Sequence, residues 1–332
     1  MVRRTLFLVA ASMPMLACSA SLRRGVTTTE AATRMEQVTR SRTNELDPAV
    51  SPDGKSIAFE VADSLESPPH VEGMQLKDVG SDERARIAYG PRNVMGREPA
   101  WMPDSSGLVF LSGAGDSRRL VQTFGPSPDR TTFLADAGNP NLHGTWPSIS
   151  PDGQRVVTSL PQLDEFRTGW RRDLSFDAAL GVSDLSGSGL TVLGEGTSPS
   201  WSPHGHRLAF ARKGEGGAHI FVANADGTAP VQLTDGPEDD VEPAWSPDGK
   251  SLAFCSVQVS ADGTSHSNIF VVHADGSGLE QLTEGDRSAC RPAWAPDGFI
   301  YFHADATDRF HIWRIQPIAA GVAGRAAELT SP

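Results

Sequence analysis

Short apolar stretches alternate with polar turns along most of this chain. In "EPAWSPDGKSLAF", residues 242–254, a Pro-Asp-Gly turn separates Pro-Ala-Trp from a stretch in which Leu252 and Phe254 share one face. A third stretch, "NIFVVHADG", ends in an Asp-Gly turn, and "GLEQLTEG" supplies a fourth. Apolar positions that alternate between such turns are typical of short antiparallel strands, and no long segment carries helical periodicity. We therefore predict an all-β protein.

The same turn recurs at regular intervals, which indicates an internal repeat. The proline of the turn occurs at Pro52, Pro103, Pro151, Pro203, Pro247 and Pro296, with spacings of 51, 48, 52, 44 and 49 residues. Four strands of this length cannot bury both faces alone, but blades packed around an axis cover one another. The prediction is a six-bladed β-propeller of four-stranded antiparallel blades, over residues 35–332.

A tryptophan precedes the turn in most of the repeats. It is found at Trp101, Trp201, Trp245 and Trp294. One large apolar residue per repeat, next to a turn, is what packing between blades requires. We interpret these residues as inter-blade packing and not as a row that binds a ligand.

Residues 1–17 have the pattern of a bacterial lipoprotein signal peptide. Arg3 and Arg4 precede "TLFLVAASMPMLA", an apolar stretch too short to span a bilayer, and small Ala17 stands before Cys18. We expect Cys18 to be acylated as the new N-terminus, with residues 18–34 as a tether. Ser19 is typical of lipoproteins sent to the outer membrane. An ordinary secretory signal with a chance cysteine is the alternative.

The charge of the chain argues against a nucleic-acid partner. The formal net charge is -12, and it becomes -14 without residues 1–17, which contain two arginines and no acid. An acidic surface repels phosphates, and no basic run offsets it. We expect a monomer that touches the membrane only through its lipid anchor.

The motifs of common enzyme classes are missing from the sequence. It has no Gly-x-Ser-x-Gly, no His-Glu-x-x-His, no Cys-x-x-Cys and no glycine-rich phosphate loop. We therefore expect no catalytic residues, no metal and no cofactor. Carboxylates at the entrance of a propeller could still act on a glycan, so a hydrolase or lyase of that kind stays an alternative.

Two cysteines besides Cys18 fall in neighbouring repeats. Cys255 is near the end of a second strand, and Cys290 is near the start of the next first strand. A disulfide needs Cα atoms within about 7 Å, and adjacent blades could bring them that close. Two buried thiols are the alternative.

The residue ahead of the proline that we expect to open each first strand is the strongest candidate for a binding site. The six residues at this position, which we call the mouth ring, are Asp47, Glu98, Trp146, Ser198, Glu242 and Arg291. Each blade should deliver one of them to the channel entrance, on the face opposite the Asp-Gly turns. We predict that Asp47, Glu98, Trp146, Glu242 and Arg291 bind a partner there. A solvated rim that merely caps the strands is the alternative.

A second candidate surface is the long segment in the third repeat. It covers residues 160–179, "LPQLDEFRTGWRRDLSFDAA", and loops of this length are often functional. Trp170, Arg171 and Arg172 form an aromatic and cationic tip of the kind enriched in protein contacts. The alternative is that the segment folds over its own blade.

These repeats resemble a known family. The core "PAWSPDGK" at residues 243–250, the Asp-Gly third turn and the Gln-Leu-Thr fourth strand are similar to the propeller repeats of the TolB family, over residues 36–332. TolB is the periplasmic component of the Tol–Pal envelope system, so the resemblance implies Pal-like partners at the propeller mouth. This chain differs in its expected lipid anchor. It also has only about seventeen residues between Cys18 and Met35, where TolB has an α/β domain that binds TolA.

Together these features predict a lipid-anchored envelope protein that faces the periplasm, and whose propeller binds another protein. Binding of a carbohydrate or peptidoglycan fragment, or hydrolase or lyase activity on one, is the alternative function.

Overall fold

The strands are arranged in a ring of six blades, which confirms the predicted fold class. The computed structural model describes residues 27–28, 35–63, 71–81, 86–89, 96–112, 119–123, 131–133, 145–160, 178–260, 263–285, 287–307, 309–317 and 327–328. None of these residues belongs to a helix long and apolar enough to cross a bilayer.

The first half of the ring follows two short strands, β1 (Thr27–Thr28) and β2 (Glu36–Gln37). Blade 1 contains β3 (Asn44–Val50), β4 (Ser56–Ala62), β5 (Val71–Asp78) and β6 (Arg86–Tyr89). Blade 2 contains β7 (Gly96–Trp101), β8 (Leu108–Ser112), β9 (Arg119–Thr123) and β10 (Thr131–Phe133). Blade 3 contains β11 (Thr145–Ile149), β12 (Arg155–Leu160), β13 (Ala179–Asp184) and β14 (Thr191–Glu195).

The second half repeats this order. Blade 4 contains β15 (Thr197–Trp201), β16 (Arg207–Lys213), β17 (Ala218–Asn224) and β18 (Val231–Gln232). Blade 5 contains β19 (Asp239–Trp245), β20 (Ser251–Val259), β21 (Ser265–His273) and β22 (Glu280–Gln281), and β23 (Thr283–Glu284) follows it. Blade 6 contains β24 (Ala289–Trp294), β25 (Ile300–Ala304) and β26 (His311–Ile315), and β27 (Ala327–Glu328) lies beyond it.

Apolar residues fill the interfaces between neighbouring blades. Phe110 of blade 2, for example, packs in one buried cluster with Ala58 and Met74 of blade 1. Phe254 of blade 5 packs likewise with Ile220 of blade 4. The predicted tryptophans do the same, since the indole N–H of Trp101 donates to the carbonyl of Ala49 in blade 1 at 3.0 Å. The core therefore lies between blades, and the axis remains available for polar residues.

The ring is closed by β2, which we call the closing strand. It runs antiparallel to β26 as the outermost strand of blade 6, with Glu36 opposite Arg314. Arg314 donates to Oε2 of Glu36 from Nε at 2.9 Å and from Nη2 at 2.7 Å. The hydroxyl of Thr39 accepts the N–H of Ile312 at 2.9 Å. The sequence pattern did not predict this exchange, because a two-residue strand has no periodicity to detect.

Candidate functional site

The mouth ring lies at a β-bulge that recurs in the innermost strand of every blade. Each innermost strand begins before its proline, so the prediction that the proline opens the strand is wrong. In blade 1, for example, β3 starts at Asn44 and the pairing register shifts between Leu46 and Ala49. Proline has no N–H to give to a ladder and is tolerated at such a bulge. The bulge sets the mouth ring inside the strand, facing the channel.

All six residues of the mouth ring have left-handed backbone conformations. Their φ angles lie between 50° and 58°, although none of them is glycine. This conformation costs roughly 1–2 kcal/mol for each residue that has a Cβ. The surrounding sheet therefore holds each of the six side chains in place against a local preference.

The preceding blade provides an acceptor for the N–H of most of these residues. The N–H of Glu98 donates to Oε1 of Glu60 at 2.7 Å, and that of Trp146 donates to Oε2 of Glu98 at 2.6 Å. The other three acceptors are Oε2 of Glu242 for Arg291 at 3.1 Å, Oγ of Ser159 for Ser198 at 2.9 Å, and Nδ1 of His303 for Asp47 at 3.2 Å. Side chains of one blade thus hold the mouth-ring residue of the next blade in these five cases.

The mouth ring surrounds one cavity of about 140 Å³. The mouth ring and the proline after each of its members form the wall, and these prolines are Pro48, Pro99, Pro147, Pro199, Pro243 and Pro292. The sequence prediction that one residue per blade converges near the axis therefore agrees with the geometry. That these residues bind a partner stays a prediction.

Arg291 is the cation at the centre of this site. Its Nε lies 2.8 Å from Oε1 of Glu242 and 3.2 Å from Oδ1 of Asp47. Its guanidinium carbon is 5.1 Å from the ring centroid of Trp146, which belongs to the blade on the opposite side of the axis. Burial alone would lower the pKa of Arg291, but the carboxylates of Asp47, Glu242, Glu98 and Glu60 outweigh burial and raise it. Arg291 is therefore charged and reaches across the channel.

Glu60 lies behind the mouth ring and was missed by the sequence analysis. Its side chain comes from β4, and the residue is only 4 % exposed. Burial raises the pKa of Glu60 well above its ordinary value, the nearby charge of Asp47 adds to this, and Arg97 opposes it. The one sequence signal was an acid between apolar neighbours in "AFEVA".

The seam between blades 6 and 1 contains a second acid that sequence reasoning missed. Oε2 of Glu45 lies 2.8 Å from Nδ1 of His311, and both residues are buried. His303, from the neighbouring strand β25, is buried beside them with its Nδ1 3.5 Å from Oδ1 of Asp47. These contacts join the closing blade to the mouth ring.

Cys255 and Cys290 form a disulfide between blades 5 and 6, with their Cα atoms 5.0 Å apart. The sequence left open a disulfide or two buried thiols, and the structure has the disulfide. Sγ of Cys290 is 3.3 Å from Oε2 of Glu242. The group of Glu242, Cys255 and Cys290 is the one cluster of three potential metal ligands among the described residues. The disulfide removes both thiolates from such a role.

Several predicted site residues lie outside the described residues. These are Cys18, Trp170, Arg171 and Arg172. The structure therefore tests neither the lipid anchor nor the tip of the long segment, and both stay predictions.

Comparison with known proteins supports the resemblance noted in the sequence. A family model described as the TolB beta propeller domain matches residues 186–317. A solved structure of putative TolB from Agrobacterium tumefaciens is 19 % identical with a TM-score of 0.62, covering 86 % of this chain and 97 % of that one. TolB from Acinetobacter baumannii is 16 % identical with a TM-score of 0.55, covering 83 % of this chain and 66 % of that one.

An enzyme has a similar fold. Oligogalacturonate lyase from Vibrio parahaemolyticus is 12 % identical with a TM-score of 0.56, covering 87 % of this chain and 95 % of that one. At this identity the likeness concerns the fold alone, since one propeller fold hosts unrelated functions. The protein is a six-bladed propeller with TolB-like repeats, matched directly over residues 186–317.

Proposed function

We propose that this protein is a lipid-anchored envelope protein whose mouth ring binds another envelope protein, of the Pal-like kind that the family resemblance implies. The observation that supports this most is the gathering of Asp47, Glu98 and Glu242 around one cavity. Carboxylates brought together in this way attract a positively charged segment of a partner. The propeller is then an interaction module held near the membrane by its tether.

The electrostatic part of this proposal is tested at Glu98 and Glu242. The double variant Glu98→Gln with Glu242→Gln removes two negative charges, while each Gln oxygen can still accept the backbone N–H that the carboxylate accepted. We expect partner capture from solubilised envelope to fall at least tenfold at low salt. The loss should shrink at high salt, where the charges are already screened. The measurement is a pull-down followed by mass spectrometry.

A matched control removes the same charge from the opposite face. Asp53 and Asp248 occupy equivalent exposed turns, each next to a serine hydroxyl. The variant Asp53→Asn with Asp248→Asn should leave capture unchanged. Full capture by the mouth double variant, with unchanged circular dichroism, would move the binding surface elsewhere, and Trp170, Arg171 and Arg172 would become the next candidates.

The anchor is tested separately by fractionation. Cys18→Ser should release the protein into the soluble periplasmic fraction or leave the signal peptide uncleaved, because the acylated thiol is gone. Wild-type protein should fractionate with the outer membrane and begin at Cys18. A soluble wild-type protein that begins at another residue would contradict the anchor.

A further inference from the structure

The mouth ring already contains a bound cation, which is its own Arg291. The side chain of Arg291 is 21 % exposed and is shared between two carboxylates, those of Asp47 and Glu242. Its guanidinium also lies against the indole of Trp146 at 5.1 Å. Carboxylates beside an aromatic ring recognise a planar cation through ion pairing and cation–π attraction together. Arg291 therefore indicates that the kind of ligand suited to this site is a planar cation.

The site has polar groups besides the two carboxylates that hold Arg291. Glu98 adds a third carboxylate to the wall of the cavity, and Glu60 is buried behind it. Ser198 also lines the cavity and is 5 % exposed. Its hydroxyl makes no hydrogen bond to any described residue. A positive group with several hydrogen-bond donors is the kind of ligand that suits both features.

We infer that the mouth ring is a receptor for one arginine side chain of the partner, and that Arg291 holds this place until the partner arrives. This inference rests on the proposed function, because it names the group that the partner inserts. The incoming guanidinium takes the position between Asp47 and Glu242, over Trp146. Arg291 then turns toward solvent, where its charge is hydrated.

Guanidinium is favoured over ammonium by the shape of the site. A planar cation can stack on Trp146 while its edge donates to the carboxylates on either side, whereas an ammonium group is a strongly hydrated point charge. The cavity of about 140 Å³ has room for a single side chain rather than for a folded element.

The backbone of Arg291 is fixed, so the exchange needs only side-chain rotation. Its N–H donates to Oε2 of Glu242 at 3.1 Å, and the preceding residue, Cys290, is bound to blade 5 through the disulfide. Neither bond involves the guanidinium. The side chain can therefore leave the axis while the sheet around it remains as it is.

The first experiment empties the site and refills it with a small cation. Arg291→Ala leaves Asp47 and Glu242 without their cation, so its melting temperature should fall. N-methylguanidinium chloride at millimolar concentration should raise that temperature saturably, while N-methylammonium chloride at equal ionic strength should not. Wild type, whose site is filled, should respond to neither. Arg291→Met, which keeps an apolar stem against Trp146, provides a second variant if Arg291→Ala does not fold.

The second experiment asks whether Arg291 competes with an external arginine. The peptide acetyl-Gly-Arg-Gly-amide should bind Arg291→Ala at least tenfold more tightly than wild type by calorimetry, and the Lys analogue should bind both more weakly. Equal affinity of the Arg peptide for variant and wild type would overturn the inference. So would an equal response to the two small cations in both Arg291 variants.

The outcomes separate this inference from the proposed function. Selective binding of N-methylguanidinium and of the Arg peptide, with partner capture unaffected by the Glu98 and Glu242 double variant, would keep the receptor and reject the mouth as the partner site. Capture that depends on those acids, without selectivity for guanidinium, would keep the partner site and reject the arginine.

Discussion

Glu60 is the group of this site from which we expect a pH dependence of stability. It is buried, it accepts the N–H of Glu98, and its pKa is raised well above its ordinary value of 4.5. A carboxyl group with a raised native pKa stays protonated in the folded state at a pH where the unfolded chain has lost the proton. Its contribution therefore favours folding at low pH and declines as pH rises from about 4.5 toward the raised value.

Glu60→Gln should remove this decline. Glutamine resembles the protonated acid, keeps an oxygen for the Glu98 N–H and does not titrate. We expect the variant to be more stable than wild type at neutral pH, by on the order of 1 kcal/mol, and equal to it near pH 4. Chemical denaturation across this range is the measurement. Glu195→Gln, at an exposed site on β14, serves as control. If the unfolding free energy of Glu60→Gln changed with pH in parallel with that of the wild type, the prediction would be contradicted.

At the scale of single residues, the sequence predicted the positions of the site but not their conformation. The mouth ring was predictable because each member precedes a proline in a recurring motif. The bulge and the left-handed φ were not, because five different residue types occupy the six positions and none is glycine. Glu60 and Glu45 escaped notice because burial of an acid depends on partners from other blades, which no local pattern encodes.

At the scale of elements, the closing strand is short and is held by few bonds. Thr39, just after β2, is 4 % exposed, and its hydroxyl accepts the N–H of Ile312 in β26. Because β2 is only two residues long, side-chain bonds of this kind provide a large share of its attachment to β26. The turns, in contrast, followed directly from the sequence, since Ser51 and Asp53 form the hydrogen-bonded Pro-Asp-Gly turn that their residue types predict.

Thr39→Val should weaken the closure without changing its shape. Valine fills the same volume but leaves the buried Ile312 N–H without its acceptor, which costs about 1–3 kcal/mol. The free energy of unfolding in urea is the measurement. Thr191→Val on exposed β14 should change it by less than about 0.5 kcal/mol. Equal effects of the two substitutions would show that the Thr39 hydroxyl does not hold the closing strand.

On the scale of the whole molecule, two different devices hold blade 6 in the ring. The disulfide from Cys255 to Cys290 ties it to blade 5, and the closing strand ties it to the N-terminal part of the chain. Repetition in the sequence predicted six blades and their order. It did not predict which blade is assembled from both ends of the chain, because the repeat signal is the same in each.

Loss of the disulfide should destabilise the ring substantially. The bridge closes a loop with a sequence separation of 35 residues, for which the chain-entropy estimate is about 3–4 kcal/mol. The variant Cys255→Ala with Cys290→Ala should lose about that much unfolding free energy in urea. Dithiothreitol should lower the unfolding free energy of the wild type by a similar amount and leave that of the variant unchanged. Two titratable thiols from this pair in unfolded, non-reduced protein would contradict the bridge.

The closing strand gives the ring a mechanical property. Any tension on the chain ahead of residue 36 passes into β2 before it reaches another strand of blade 6 or of blade 1. A pull from ahead of residue 27 would first load the pairing of β1 with β22 of blade 5, and then the hydrogen bonds from β2 to β26 with the Glu36–Arg314 contact beside them. If Cys18 anchors the chain as proposed, a pull that detaches β1 would next peel the ring open at the seam between blades 6 and 1, beside Asp47. Force at the membrane and the geometry of the mouth would then be connected through two short strands, β1 and β2.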